Sequence, residues 1–172
     1  MLKRVSITGP ESTGKSKLAA WLAEVYQTLW VPEYAREYLE KNGPDYLLKD
    51  VVAIARGQLE RENIAAQKVK KVLFCDTDLL VTKIWCEVVF GTCPDWIEQH
   101  FQLHRYDLYL LCYPDLPWEP DPLRENPDNR EELFELYRRA LEENELPYRI
   151  VKGFGAERFE NACTFVEEIL KG

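Results

Sequence analysis

A three-layer α/β fold, with helices on both faces of a parallel five-stranded sheet, is predicted by two features. Short apolar runs alternate with longer segments of 3.6-residue period. The first run, Arg4–Thr8, passes directly into Gly9-Pro10-Glu11-Ser12-Thr13-Gly14-Lys15-Ser16, and a helical pattern follows. This is G-x-x-x-x-G-K-[ST] in its required setting, after a strand and before a helix. The predicted class is therefore a P-loop NTPase/kinase fold, with strand order 2-3-1-4-5. At 172 residues the chain suits one domain, residues 1–172, with a lid insertion at about 114–130.

Each element has its own signal. Strand 1 is Arg4–Thr8, and its helix runs from about Lys15 to Tyr26. Strand 2 is Thr28–Val31, stopped by Pro32. Tyr34–Lys41 gives a turn or two of helix, ended by Asn42-Gly43-Pro44. Lys49–Val69 is a long amphipathic helix, with Val51, Val52, Ala55, Leu59, Ala66 and Val69 roughly on one side. Strand 3 is Val72–Cys75. Asp78 is placed to cap helix Leu79–Phe90, which Gly91 stops. Strand 4 is Leu108–Cys112, helix Glu131–Glu143 follows a cap at Asp128 or Asn129, strand 5 is Tyr148–Val151, and a last helix covers about Ala156–Leu170. Pro114, Pro117, Pro120, Pro122 and Pro127 crowd one segment. Fixed φ angles and missing donors make it a stiff surface loop.

Composition narrows the function. Hydrophobic residues at 46% and charged residues at 30% read as globular. The net charge of −8 argues against a nucleic-acid surface and against a basic membrane-binding helix. No apolar stretch is long enough for a signal peptide or a membrane span, and five cysteines without a C-x-x-C pair fit a reduced, cytoplasmic protein without a cysteine metal site. An oligomer is compatible with the sequence. His100 and His104 lack a third ligand nearby and are expected at the surface.

The loop implies Mg·ATP. Gly9 and Gly14 let backbone approach a ligand; the amides of Glu11, Ser12 and Thr13 face phosphate oxygens, and the helix N-terminus adds positive potential. Lys15 neutralises the β- and γ-phosphates, Ser16 offers a hydroxyl to Mg²⁺, and Lys17 either helps or is solvated. Asp76, at the carboxyl end of strand 3, is the metal-ligand or general-base candidate. Glu33, after strand 2, is a second base or a ribose ligand, with Arg36 one turn later; a surface Glu–Arg pair is the plain alternative. Asp78 is either a substrate contact or only a helix cap. Trp118, Arg124 and Arg130 lie on the loop, where an arginine suits a migrating phosphoryl group. Gly153–Arg158 follows strand 5 and either packs on the nucleotide, through Arg158, or is a plain turn.

Three phrases are more specific than the phosphate loop: Val-Pro-Glu-Tyr-Ala-Arg-Glu-Tyr (31–38), Phe-Cys-Asp-Thr-Asp (74–78) and Leu-Pro-Trp-Glu-Pro-Asp-Pro-Leu-Arg (116–124). With Gly9–Leu18, Ile54–Glu62 and Tyr148–Arg158, they resemble the nicotinamide-riboside kinase domain of NadR-type NAD-salvage proteins over almost the whole chain. The resemblance implies ATP-dependent phosphorylation of the 5′-hydroxyl of nicotinamide riboside. It carries Lys15 and Ser16 to ATP and Mg²⁺, Asp76 and Glu33 to acidic site roles, and Trp118 and Arg124 to the lid. Tyr34, Trp85 and Trp118, beside Glu33 and Asp78, are the expected pocket for a cationic ring. The adenylyl-transfer and repressor activities of such proteins are expected to be absent, since the loop begins at Gly9 and no H-x-G-H occurs. A P-loop kinase for another nucleoside or metabolite, and a non-kinase ATP-binding regulatory ATPase, are the alternative readings.

Overall fold

A computed structural model describes all 172 residues. Five strands, β1 (Lys3–Thr8), β2 (Trp30–Val31), β3 (Val72–Asp76), β4 (Leu108–Cys112) and β5 (Tyr148–Val151), form one parallel sheet in the order β2-β3-β1-β4-β5. This is the predicted order. Seven helices accompany it: α1 (Lys15–Val25), α2 (Tyr34–Asn42), α3 (Leu48–Ala66), α4 (Leu79–Phe90), α5 (Asp95–Leu103), α6 (Arg130–Glu143) and α7 (Gly155–Lys171).

The period-2 alternation of the strands sends their side chains into two separate cores. Val5, Ile7, Phe74, Leu110 and Cys112 pack with Leu18 and Leu22 of α1 and Ala162 and Val166 of α7. Leu73, Cys75, Tyr109 and Leu111 face the other way, onto α3, α4, α5 and α6. On that second face β1 presents Ser6 and Thr8, both fully buried. Their hydroxyls donate to the Asp78 carboxylate, at 2.5 and 3.3 Å.

Two elements differ from the sequence reading. Helix α5 was not expected; it lies in the short stretch between Pro94 and His104. Strand β2 is only two residues long: the Leu29 carbonyl accepts from the Phe74 amide at 3.4 Å just before it, and Pro32, which cannot donate, follows it. Helix α2 docks closely on α3 through Gly57, where a Cβ would stand 2.0 Å from the Tyr34 ring. Residues 113–129, the proline-rich segment, contain turns but no helix or strand. All five cysteines are free, and Cys75, Cys86 and Cys112 are buried in the cores as expected. No helix is long and apolar enough to cross a membrane.

Candidate active site

The phosphate loop is shaped by backbone that only certain residues accept. Gly9 has φ +127°, and a Cβ there would meet the Cys112 carbonyl oxygen at 2.9 Å. Ser12 sits in the left-handed region at φ +55°, a conformation that costs a non-glycine residue energy. Helix α1 begins after Gly14 with no side-chain cap. Its first-turn amides therefore have no intrahelical or side-chain partner, which is the condition for receiving an anion. Lys15 reaches back to donate to the Pro10 carbonyl at 2.7 Å, and Thr13 donates to the same oxygen at 2.8 Å.

A cavity of about 430 Å³ opens over this loop and continues into an apolar chamber. Leu39, Tyr46, Ile84, Trp85, Leu133 and Tyr137 line the chamber, while Lys15, Ser16, Lys17, Glu33, Arg36 and Arg124 line the polar end. Asp76 lies behind Ser16, 1% exposed, and its Oδ2 accepts from the Ser16 hydroxyl at 2.5 Å. Its Oδ1 is buried with no partner at all. A buried carboxylate oxygen left unpaired beside a hydroxyl is a poor arrangement for the protein alone and a good one for a hard cation. Ser16 and Asp76 therefore fit Mg²⁺.

Glu33 and Asp76 are both raised above the ordinary carboxylate range. Burial pushes the Glu33 carboxyl above the ordinary carboxylate range and the Asp76 charge pushes it further, against the opposing pull of Lys15 and Arg36. Burial raises Asp76 as well, opposed by the Ser16 hydrogen bond and the Lys15 charge.

The proline-rich segment is fastened to the loop. Ser12 Oγ accepts from the Glu119 amide at 2.8 Å and from Arg124 at 3.4 Å. Arg130 donates to the carbonyls of Ser12 and Leu116, both at 2.9 Å. Arg36 pairs with Asp121 at 3.0 Å. Lys17 makes only a loose, exposed pair with Glu119 at 3.9 Å. The Glu11 carboxylate points at the segment rather than into the phosphate end, accepting from the amides of Glu125 and Asn126 at 3.1 and 3.0 Å.

Four expected contacts fall elsewhere. Asp78 is fully enclosed, accepts from the Val81 amide at 2.9 Å as the cap of α4, and does not line the cavity. The Tyr34 ring faces α3, under the Arg61 guanidinium at 4.3 Å. Trp118 stands outside the cavity between Arg124 and Arg130, 6.0 and 5.7 Å from its ring centre. Arg158 is 3% exposed and braces the loop from behind. It donates to the Thr13 carbonyl at 2.8 Å and pairs with Asp115 at 2.6 Å. Of the three aromatics expected around a cationic ring, only Trp85 lines the chamber; Tyr46, which carries no sequence motif, takes the second place. Glu125 also lines the cavity and carries no motif of its own, although it directly follows Arg124. The histidines are corrected too: His104 is half-buried and meets the buried Glu62 carboxylate at 3.0 Å, at the end of the sheet where β1 begins, and His100 stacks on Trp96 at 3.8 Å.

Residues 4–158 match a protein family described as an AAA domain. The trifunctional NAD biosynthesis/regulator protein NadR of Escherichia coli (strain K12) is 30% identical over 176 residues, which cover 98% of this chain and 43% of NadR. A NadR crystal structure in complex with NR superposes with a TM-score of 0.80 at 27% identity, covering 99% of this chain and 50% of the other. A NadR structure in complex with NAD and AMP-PNP gives 0.78 at 27% identity, with the same coverage. The chain thus spans about half the length of these relatives.

Proposed function

This chain belongs to the AAA-domain family, and from that membership we propose that it is an ATP-dependent kinase that phosphorylates the 5′-hydroxyl of nicotinamide riboside to nicotinamide mononucleotide. The observation that carries the reading is one cavity that joins the phosphate loop, with Glu33 at its polar end and Asp76 behind Ser16, to an apolar chamber large enough for a nucleoside. NadR structures holding NR, and NAD with AMP-PNP, support both halves of the site. The chamber wall suits a pyridinium cation: Trp85 and Tyr46 offer aromatic faces, and Glu33 and Glu125 offer negative charge.

The ATP phosphates lie along the amides of residues 11–16, with Lys15 swinging from the Pro10 carbonyl to the β- and γ-oxygens. Ser16 and Asp76 would hold Mg²⁺, which would supply positive charge against the phosphates. Glu33 then accepts the proton of the attacking hydroxyl, since Asp76 is committed to Ser16 and the metal. The 5′-oxygen forms its bond to the γ-phosphorus as the bond to the β–γ bridging oxygen breaks, and ADP leaves. The proline-rich segment serves as the lid. It brings Arg124 to the migrating group and keeps water from acting as acceptor.

A panel of nucleosides with ATP tests the reading, by following ADP and product together. ADP formed one-for-one with nicotinamide mononucleotide, and only when nicotinamide riboside is present, is the expected result. Turnover of another nucleoside but not this one overturns the acceptor. ATP hydrolysis indifferent to every acceptor overturns the kinase reading in favour of a regulatory ATPase.

A further inference from the structure

Lid residues Glu125 and Asn126 are held from two directions. On the donor side the Glu11 carboxylate accepts from both backbone amides and from Asn126 Nδ2, at 3.1, 3.0 and 3.2 Å. On the acceptor side the Tyr46 hydroxyl donates to Glu125 Oε2 at 2.7 Å while accepting from Trp85 Nε1 at 2.9 Å. Burial and the neighbouring Glu125 push the Tyr46 hydroxyl up to about 12, so it stays a donor across the working pH range. Two sets of hydrogen bonds, joined through the covalent frame of Glu125, therefore link the acceptor chamber, the lid and the phosphate loop.

The charge of Glu11 gives this link its direction. A carboxylate inside a phosphate-binding loop repels the ligand unless its charge is taken up. Three lid donors take it up. Opening the lid strips them away and leaves Glu11 facing incoming phosphates, so nucleotide binding and lid closure favour one another by linkage. We propose that Glu11 and Tyr46 are positioning residues that form a double latch on Glu125–Asn126, registering the lid on donor loop and acceptor chamber together and suppressing transfer of the phosphoryl group to water.

The catalytic part rests on the kinase reading, so the test has two arms. Hydrogen exchange of the Glu125 and Asn126 amides is measured on the free protein, with no acceptor involved. Glu11→Ala removes the acceptor of both amides. Loss of hydrogen bonds to a charged group is expected to speed their exchange by about tenfold or more. Tyr46→Phe keeps the ring on Trp85 and loses only the hydroxyl; a smaller acceleration is expected. In the second arm, the ratio of acceptor-free ATP hydrolysis to phosphoryl transfer rises in both variants. The KM for ATP falls in Glu11→Ala, which loses a negative charge beside the phosphates, and is unchanged in Tyr46→Phe, a split that simple structural damage does not produce. Unaltered exchange in both variants overturns the latch. Faster exchange in a protein that phosphorylates no nucleoside upholds the latch and overturns the kinase reading.

Discussion

Asp76 keeps one carboxylate oxygen buried and unpaired, while its other oxygen holds Ser16. Asp76→Asn is expected to cut phosphoryl transfer by about a hundredfold or more while ATP still binds, as read by separate kcat and binding measurements. Lys15→Ala removes the mobile charge over the loop and should cost at least as much, with an unchanged fold by circular dichroism. Near-normal turnover in either variant would mean the chemistry lies elsewhere. Because Glu33 and Asp76 are both raised, kcat/KM should fall with decreasing pH from above the ordinary carboxylate range. Asp78 obeys a different rule. Burial, set against the Ser6 hydrogen bond, lifts it from 3.8 to about 6. An acid raised by folding binds more protons in the native state across that window. It therefore stabilises most below about 4 and loses that contribution as pH rises through about 6. Asp78→Asn, which can still cap α4, should flatten this slope in urea unfolding, whereas Asp78→Ala strands two buried hydroxyls and destabilises throughout. The position of Asp76 was legible because a strand end fixes it. Asp78 was legible as the cap of α4, but its burial against Ser6 and Thr8 was not, because Thr77 at φ +69° turns the chain between the two aspartates.

At the scale of elements, the strands and long helices followed from periodicity, and the phosphate loop from its spacing. What stayed hidden was side-chain direction on short elements. The Tyr34 ring is claimed by a glycine on another helix, a pairing no local pattern encodes. Gly57→Ala sets two effects against each other. The helix gains about 1 kcal/mol of propensity, but the new methyl overlaps a ring pinned by Arg61, and overpacking costs about 1–3 kcal/mol. A lowered urea midpoint is expected; a raised one would mean α2 slides freely on α3. The contacts of Tyr46 and Glu125 were equally invisible, since both residues lie in irregular segments and meet only after the sheet has brought them together.

At the scale of the whole molecule, the net charge of −8 and a phosphate ligand are reconciled by placement. Positive groups converge on one end of the sheet. Arg158, bracing the loop from behind, spends its charge on carbonyls and Asp115. A magnesium complex of a non-hydrolysable ATP analogue at a hundred times its Kd should add about 2.7 kcal/mol of stability, a rise of several degrees in Tm. Absence of any rise would count against the loop as the nucleotide site. The division of the interior into two cores carries a consequence for the history and redesign of such a chain. The chamber is walled by α2, α4, α6 and the lid, and none of its lining residues belongs to the core beneath α1 and α7. One half of the molecule can keep the fold and the donor loop constant while the other drifts. Changes of acceptor preference are therefore expected from substitutions at chamber positions such as Leu39 or Trp85, which leave the core beneath α1 and α7 untouched.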